Sequence, residues 1–150
     1  MTGLPEVGYD RAMDAVLLEW TAALAVGIEE IDAQHREIFL RVARVRDAAF
    51  AGDASEVDRT LDFLHRYVEF HFAAEERYME AQRYPGLDRH REEHAWLLGA
   101  VREIEADRRR DGPTPDAIVR VERFLSDWIR THIGVTDLGM ARFVRRARPR

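Results

Sequence analysis

The chain of 150 residues contains no cysteine and no lysine. Without cysteine there is no disulfide, no thiolate nucleophile, no iron–sulfur cluster and no cysteine zinc site. All 23 basic residues are arginine, set against 28 acidic ones, so the net charge is −5. An acidic chain is a poor general binder of nucleic acid or anionic membrane. No apolar run approaches the roughly 18 residues needed to cross a bilayer. The N-terminal stretch lacks a basic start followed by an apolar segment, so no signal peptide is evident. These absences predict a cytoplasmic protein with neither nucleic acid nor membrane as a partner. Hydrophobic residues make up 46% of the chain, enough for one real core.

Glycine and proline are also few, and they cluster where the chain must break. Gly3, Pro5 and Gly8 mark an N-terminal arm over 1–19. Gly52-Asp53, Pro85-Gly86 and Gly112-Pro113-Thr114-Pro115 then separate long uninterrupted intervals. Thr114 is placed to cap a helix that has Pro115 at its first position. Each interval carries an apolar seam spaced by three and four residues. The seams run Ile31, His35, Ile38, Val42, Val45; then Val57, Leu61, Leu64, Val68, His71, Glu75; then His90, His94, Leu97, Val101; then Ile118, Val121, Leu125, Trp128, His132. This alternation is the core stripe of helices packed at a shallow angle. Four such helices on short connections predict an all-α fold, an antiparallel up-down-up-down four-helix bundle over 20–146. Val16, Leu17, Leu18 and Trp20 would cover one end or side, and a short fifth helix is expected at about 137–146, before a basic tail at 147–150. The arginine runs at 108–110 and 142–150 read as solvated surface.

Five of the six histidines, together with Glu75, lie on the core stripe; only His65 lies off it. Burying a carboxylate among imidazoles is costly unless the groups pair or bind a cation. One buried histidine can be satisfied by a hydrogen bond, but here the set repeats. His71 and Glu75 stand one helical turn apart on one face, and so do His90 and His94. His132 and Asp137 are five apart, where the fourth helix is expected to end and unwind toward Gly134. Imidazole and carboxylate at this spacing are metal ligands. The donors are too many for one zinc ion. Iron, manganese, nickel and zinc all accept nitrogen and oxygen donors, and spacing alone does not choose among them.

The order of the motifs resembles the hemerythrin family, the HHE cation-binding proteins, and in particular its bacterial single-domain members. The resemblance rests on Gly27-Ile28, Ile31-Asp32-Ala33-Gln34-His35, His71 through Glu75, His90 with His94, and Trp128 through His132 with Asp137. It implies two non-heme iron ions, cycling between Fe2+ and Fe3+, with a bridging oxo or hydroxo group. His90, His94 and His132 would hold one iron, His35 and His71 the other, and Glu75 and Asp137 would bridge them. One coordination position then stays open on the iron of His35 and His71. In the family the ligand there is dioxygen, bound reversibly. Phe72, Trp128, Ile129 and Ile133 are expected to form an apolar oxygen pocket around it. Asp32, one turn before His35, is expected either to orient a ligand or to cap its helix. The function implied is oxygen storage, delivery or sensing. A diiron oxidase or peroxidase, or an enzyme handling nitric oxide or peroxide, is the alternative. Two carboxylates among five imidazoles favour binding over oxidation chemistry. A signalling role would need a separate protein partner, and the arginines of 142–150 are the only docking feature in view.

Overall fold

A computed structural model describes residues 19–112 and 114–147. The arm at 1–19 and the tail at 147–150 therefore fall outside the described residues, except for Glu19 and Ala147. After a short 3-10 turn at Ala22–Leu24 come helices α1 (Glu29–Ala51), α2 (Ala54–Ala81), α3 (Leu87–Asp111) and α4 (Pro115–Thr131). A π-helical segment, His132–Asp137, follows and leads directly into α5 (Leu138–Ala147). The fold is the expected antiparallel four-helix bundle: α1 packs on α2 and α4, and α2 packs on α3.

The breaks act through local chemistry. Gly52 ends α1 with φ +70°, a left-handed conformation that costs a residue with a Cβ about 1–2 kcal/mol. The Asp53 side chain accepts the Glu56 N–H at 3.1 Å and so starts α2. Thr114 accepts the Ala117 N–H at 3.2 Å, with Pro115 in the first turn of α4. Most apolar seam residues form one core that includes Ile38, Val42, Val57, Leu61, Leu97, Val121 and Leu125, while Ile31 packs with Val26 and Ala141 in a separate cluster. Trp20 packs against this core, with the Arg36 guanidinium 4.9 Å from its ring centroid.

Two expectations need correction. The fourth helix does not unwind at His132. It widens into a π-helical segment and continues into α5. On an α-helix five residues advance about 140° beyond a full turn, which would turn Asp137 away from His132. The wider turn brings both to one face, and such segments recur at functional sites. Nor is the first arginine run wholly solvated. Arg108 is buried, and its Nε donates to Asp58 Oδ1 at 2.8 Å, tying α3 to α2. In the second run, Arg145 Nη2 donates to the Ala25 carbonyl at 3.1 Å and holds the segment before α1 against α5.

Candidate metal centre

The bundle brings all seven predicted ligand residues to one level. His35 comes from α1, His71 and Glu75 from α2, His90 and His94 from α3, and His132 and Asp137 from the two ends of the π segment. Each is at most 2% exposed, so every donor sits in the core. They fall into groups suited to a cation. One holds Glu75, His90, His94 and His132; the other holds His35, His71, Glu75 and Asp137.

The two carboxylates divide their oxygens between the groups. Glu75 Oε1 lies 3.0 Å from His35 Nε2 and 2.9 Å from His71 Nε2. Its Oε2 lies 3.1, 3.5 and 3.9 Å from the Nε2 atoms of His94, His90 and His132. Asp137 Oδ2 lies 3.1 Å from His35 Nε2, while Oδ1 lies 2.9 and 3.2 Å from His90 and His132 Nε2. Both carboxylates thus span the same two positions.

Several of these donor atoms crowd together without hydrogen-bonding. Glu75 Oε2, both Asp137 oxygens and His90 Nε2 are fully buried and lie near oppositely charged or polar groups, yet none makes a hydrogen bond of suitable direction. The Nε2 atoms of His35 and His71 face each other at 3.1 Å, and those of His94 and His132 at 3.2 Å. Two imidazole lone pairs at such distances repel unless a proton or a cation lies between them. The arrangement therefore fits a pair of metal ions, and the donor set of imidazole and carboxylate without sulfur suits non-heme iron.

Electrostatics gives the same result for the metal-free site. Burial by itself would lower the pKa of His35, His90 and His132. The closely placed carboxylates of Asp137 and Glu75 outweigh it for His35 and His90, pushing both up to about 9. For His132 the charge of the nearby Asp137 does the same, pushing it up to about 10. Burial would raise the carboxyls of Glu75 and Asp137, and neighbouring imidazoles hold both well below the usual carboxylate range. Protons on imidazoles do the work of cations when no metal is bound.

Behind the ligand residues lies a layer that spacing along the chain did not reveal. His71 Nδ1 donates to Gln34 Oε1 at 2.7 Å. His94 Nδ1 donates to Glu76 Oε1 at 2.8 Å, and His132 Nδ1 donates to Glu93 Oε2 at 3.0 Å. Each bond sets the tautomer that leaves Nε2 free to ligate. Their signal in the sequence was weak, because each acceptor neighbours one ligand residue but serves a histidine on another element. The Asp32 carboxylate is turned to the backbone before α1. It accepts the Val26 and Gly27 N–H groups at 2.8 and 3.2 Å, which makes it the anchor of the turn before α1. Off-seam His65 pairs with Glu105 at 3.1 Å, away from the cluster.

The four apolar residues expected around the open position are all buried. Phe72 stacks on His94 with ring centroids 3.7 Å apart and planes 5° apart. Trp128 stacks on His132 at 4.7 Å and 12°, and the two aromatic rings meet edge to face at 5.7 Å. These rings cover the three-histidine group. Phe72 follows His71 by one residue, so it points about 100° around α2 from it, toward α3. Ile129 and Ile133 are 1% and 0% exposed.

The comparisons with known proteins agree with this geometry. Residues 26–144 match the family described as hemerythrin HHE cation binding domain. A bacteriohemerythrin of Methylococcus capsulatus is 35% identical over 81% of this chain and 92% of its own length. One from Ralstonia nicotianae is 32% identical over 89% and 93%. A hemerythrin from Sipunculus nudus is 31% identical over 79% and 86%. The crystal structure of a mutant hemerythrin superposes with a TM-score of 0.72 at 30% identity, covering 83% of this chain and 95% of that one. The chain belongs to the hemerythrin family.

Proposed function

We propose that this protein binds dioxygen reversibly at a non-heme diiron centre. His90, His94 and His132 would hold one iron and His35 and His71 the other, with Glu75 and Asp137 shared between them. The observation that carries this reading is the division of each carboxylate: one oxygen faces the two-histidine group and the other faces the three-histidine group. A single-ion site has no use for that arrangement. A ferrous pair bound there would supply the two electrons that dioxygen takes up.

The chain's own residues orient and protect. Gln34, Glu76 and Glu93 fix three imidazole tautomers. Phe72 and Trp128 lie flat on His94 and His132 and exclude water from that side. Ile129 on α4 and Ile133 in the π segment are buried and would keep the remaining wall apolar, which limits proton access to the bound ligand. The role is oxygen storage, delivery or sensing by a bundle over 20–146 in the cytoplasm, where reductants can return iron to the ferrous form. Among the described residues no helix is long and apolar enough to cross a membrane.

The test is spectroscopic. Protein reduced without air and then exposed to oxygen should gain a visible charge-transfer band. The band should vanish under vacuum and return with air. A band that bleaches once and never returns would refute reversible binding and favour an oxidase.

A further inference from the structure

We infer that Glu76 and Glu93 make the two metal positions unequal, so that the position of His90, His94 and His132 fills before that of His35 and His71. This rests on the diiron reading above. The hydrogen bonds behind the ligand histidines differ between the two groups. In the three-histidine group, carboxylates accept from two Nδ1–H groups: Glu76 from His94 at 2.8 Å and Glu93 from His132 at 3.0 Å. In the two-histidine group the one acceptor is neutral, the Gln34 amide oxygen at 2.7 Å from His71. One histidine in each group, His35 and His90, has its Nδ1 buried without a partner among the described residues.

A carboxylate and an amide oxygen set the same tautomer, but they are not equivalent. The carboxylate draws on the Nδ1 proton and leaves Nε2 more electron-rich, so the imidazole is a stronger metal donor. The amide adds no charge. The three-histidine position therefore has one more imidazole and two carboxylate-backed ones. The same contacts also brace it before metal arrives. Glu76 on α2 reaches His94 on α3, and Glu93 on α3 reaches His132 on the π segment. Thr136 Oγ1 donates to the same Glu93 oxygen at 2.9 Å, and Arg91 Nε donates to Glu76 Oε2 at 3.4 Å. These second contacts hold each carboxylate in the direction its histidine needs. Glu76 and Glu93 act through the imidazoles, so they are positioning residues.

Stepwise addition of Zn2+ to the metal-free full chain, followed by imidazole 15N NMR, tests the order of filling. With one equivalent, His90, His94 and His132 should reach their bound shifts, and His35 and His71 should follow with the second. Glu76→Gln with Glu93→Gln keeps the shape of both acceptors and removes their charge. That variant should bind the first ion at least about tenfold more weakly and should lose the order of filling. Gln34→Glu should do the reverse, tightening the second ion. Each single variant is measured as well, and circular dichroism checks that all are folded. If His35 and His71 fill first, or if all five histidines move together in the parent, the inference is overturned. It is also overturned if the glutamine variants bind the first ion as the parent does. A parent that takes up fewer than two ions overturns the diiron reading itself, which separates the two failures.

Discussion

Glu75 and Asp137 lie on different elements, yet each turns one oxygen toward His35 and the other toward His90. Glu75 Oε1 is 3.0 Å from His35 Nε2 and its Oε2 is 3.5 Å from His90 Nε2. Asp137 Oδ2 and Oδ1 are 3.1 and 2.9 Å from the same two nitrogens. The two carboxylates are thus parallel spans between one pair of positions. The π segment makes this possible, because it returns Asp137 to the face of His132.

Replacing a spanning or ligating group should disturb both metal content and fold. In His71→Ala or Glu75→Gln, iron should fall to about one per chain or less, because the remaining buried donors lose the cation that offsets their burial. The midpoint of thermal unfolding should fall with it. His65→Ala should leave iron content at the parent value, since His65 pairs with Glu105 outside the cluster. Metal analysis and calorimetry on the same samples check all three.

The pH dependence of the metal-free protein follows from the raised histidines. His35, His90 and His132 lie above their ordinary value of 6.5 when folded. Their pairing with Glu75 and Asp137 therefore stabilises the fold fully below 6.5 and is lost as pH rises through about 9 to 10. The depressed carboxylates act in the opposite sense: their contribution is present above their ordinary values of 4.5 and 3.8 and is lost as pH falls. Metal-free protein should lose roughly 3 °C or more in unfolding midpoint between pH 8 and pH 10, at about 2–4 °C per kcal/mol for a domain of this size. Metal-loaded protein should lose less, because cations replace those protons. Equal losses in the two forms would contradict the protonated site.

The bundle and its buried cluster of candidate ligands were legible because helical packing and ligation use the same periodicity. His71 with Glu75 and His90 with His94 obey the spacing that also buries Leu64, Val68 and Leu97. Asp137 was legible as a donor near His132, but the local structure that carries it there was not. Its five-residue step from His132 fits no α-helical face, and nothing in the local residues announces a π segment. Gln34, Glu76 and Glu93 were hidden for a different reason. Their partners lie on other helices, so the pairing exists only once the bundle has formed. Phe72 illustrates the same limit: its neighbour in sequence is His71, but its stacking partner is His94.

The apolar wall should govern the lifetime of the oxygenated form more than it governs metal binding. Ile129→Glu or Ile133→Glu would bring a proton donor and water beside the bound ligand. Decay of the oxygenated band should speed up by at least about tenfold, equivalent to ~1.4 kcal/mol on the barrier. Iron content should stay near the parent value. Val101→Ala, a core change in the same bundle, should alter the decay far less. Decay measured by absorbance, with iron counted in the same samples, checks this. If both isoleucine variants hold oxygen as long as the parent, these side chains do not wall the open position.

A reversible oxygen site built on two irons is tested most directly by one combined measurement. Protein produced with adequate iron is analysed for metal, reduced without air, and carried through repeated cycles of oxygen and vacuum while its visible spectrum is recorded. Close to two irons per chain are expected, one for each donor group, with a charge-transfer band that appears and disappears in every cycle. A single zinc ion per chain, or a band that fails to return after the first cycle, would contradict such a site.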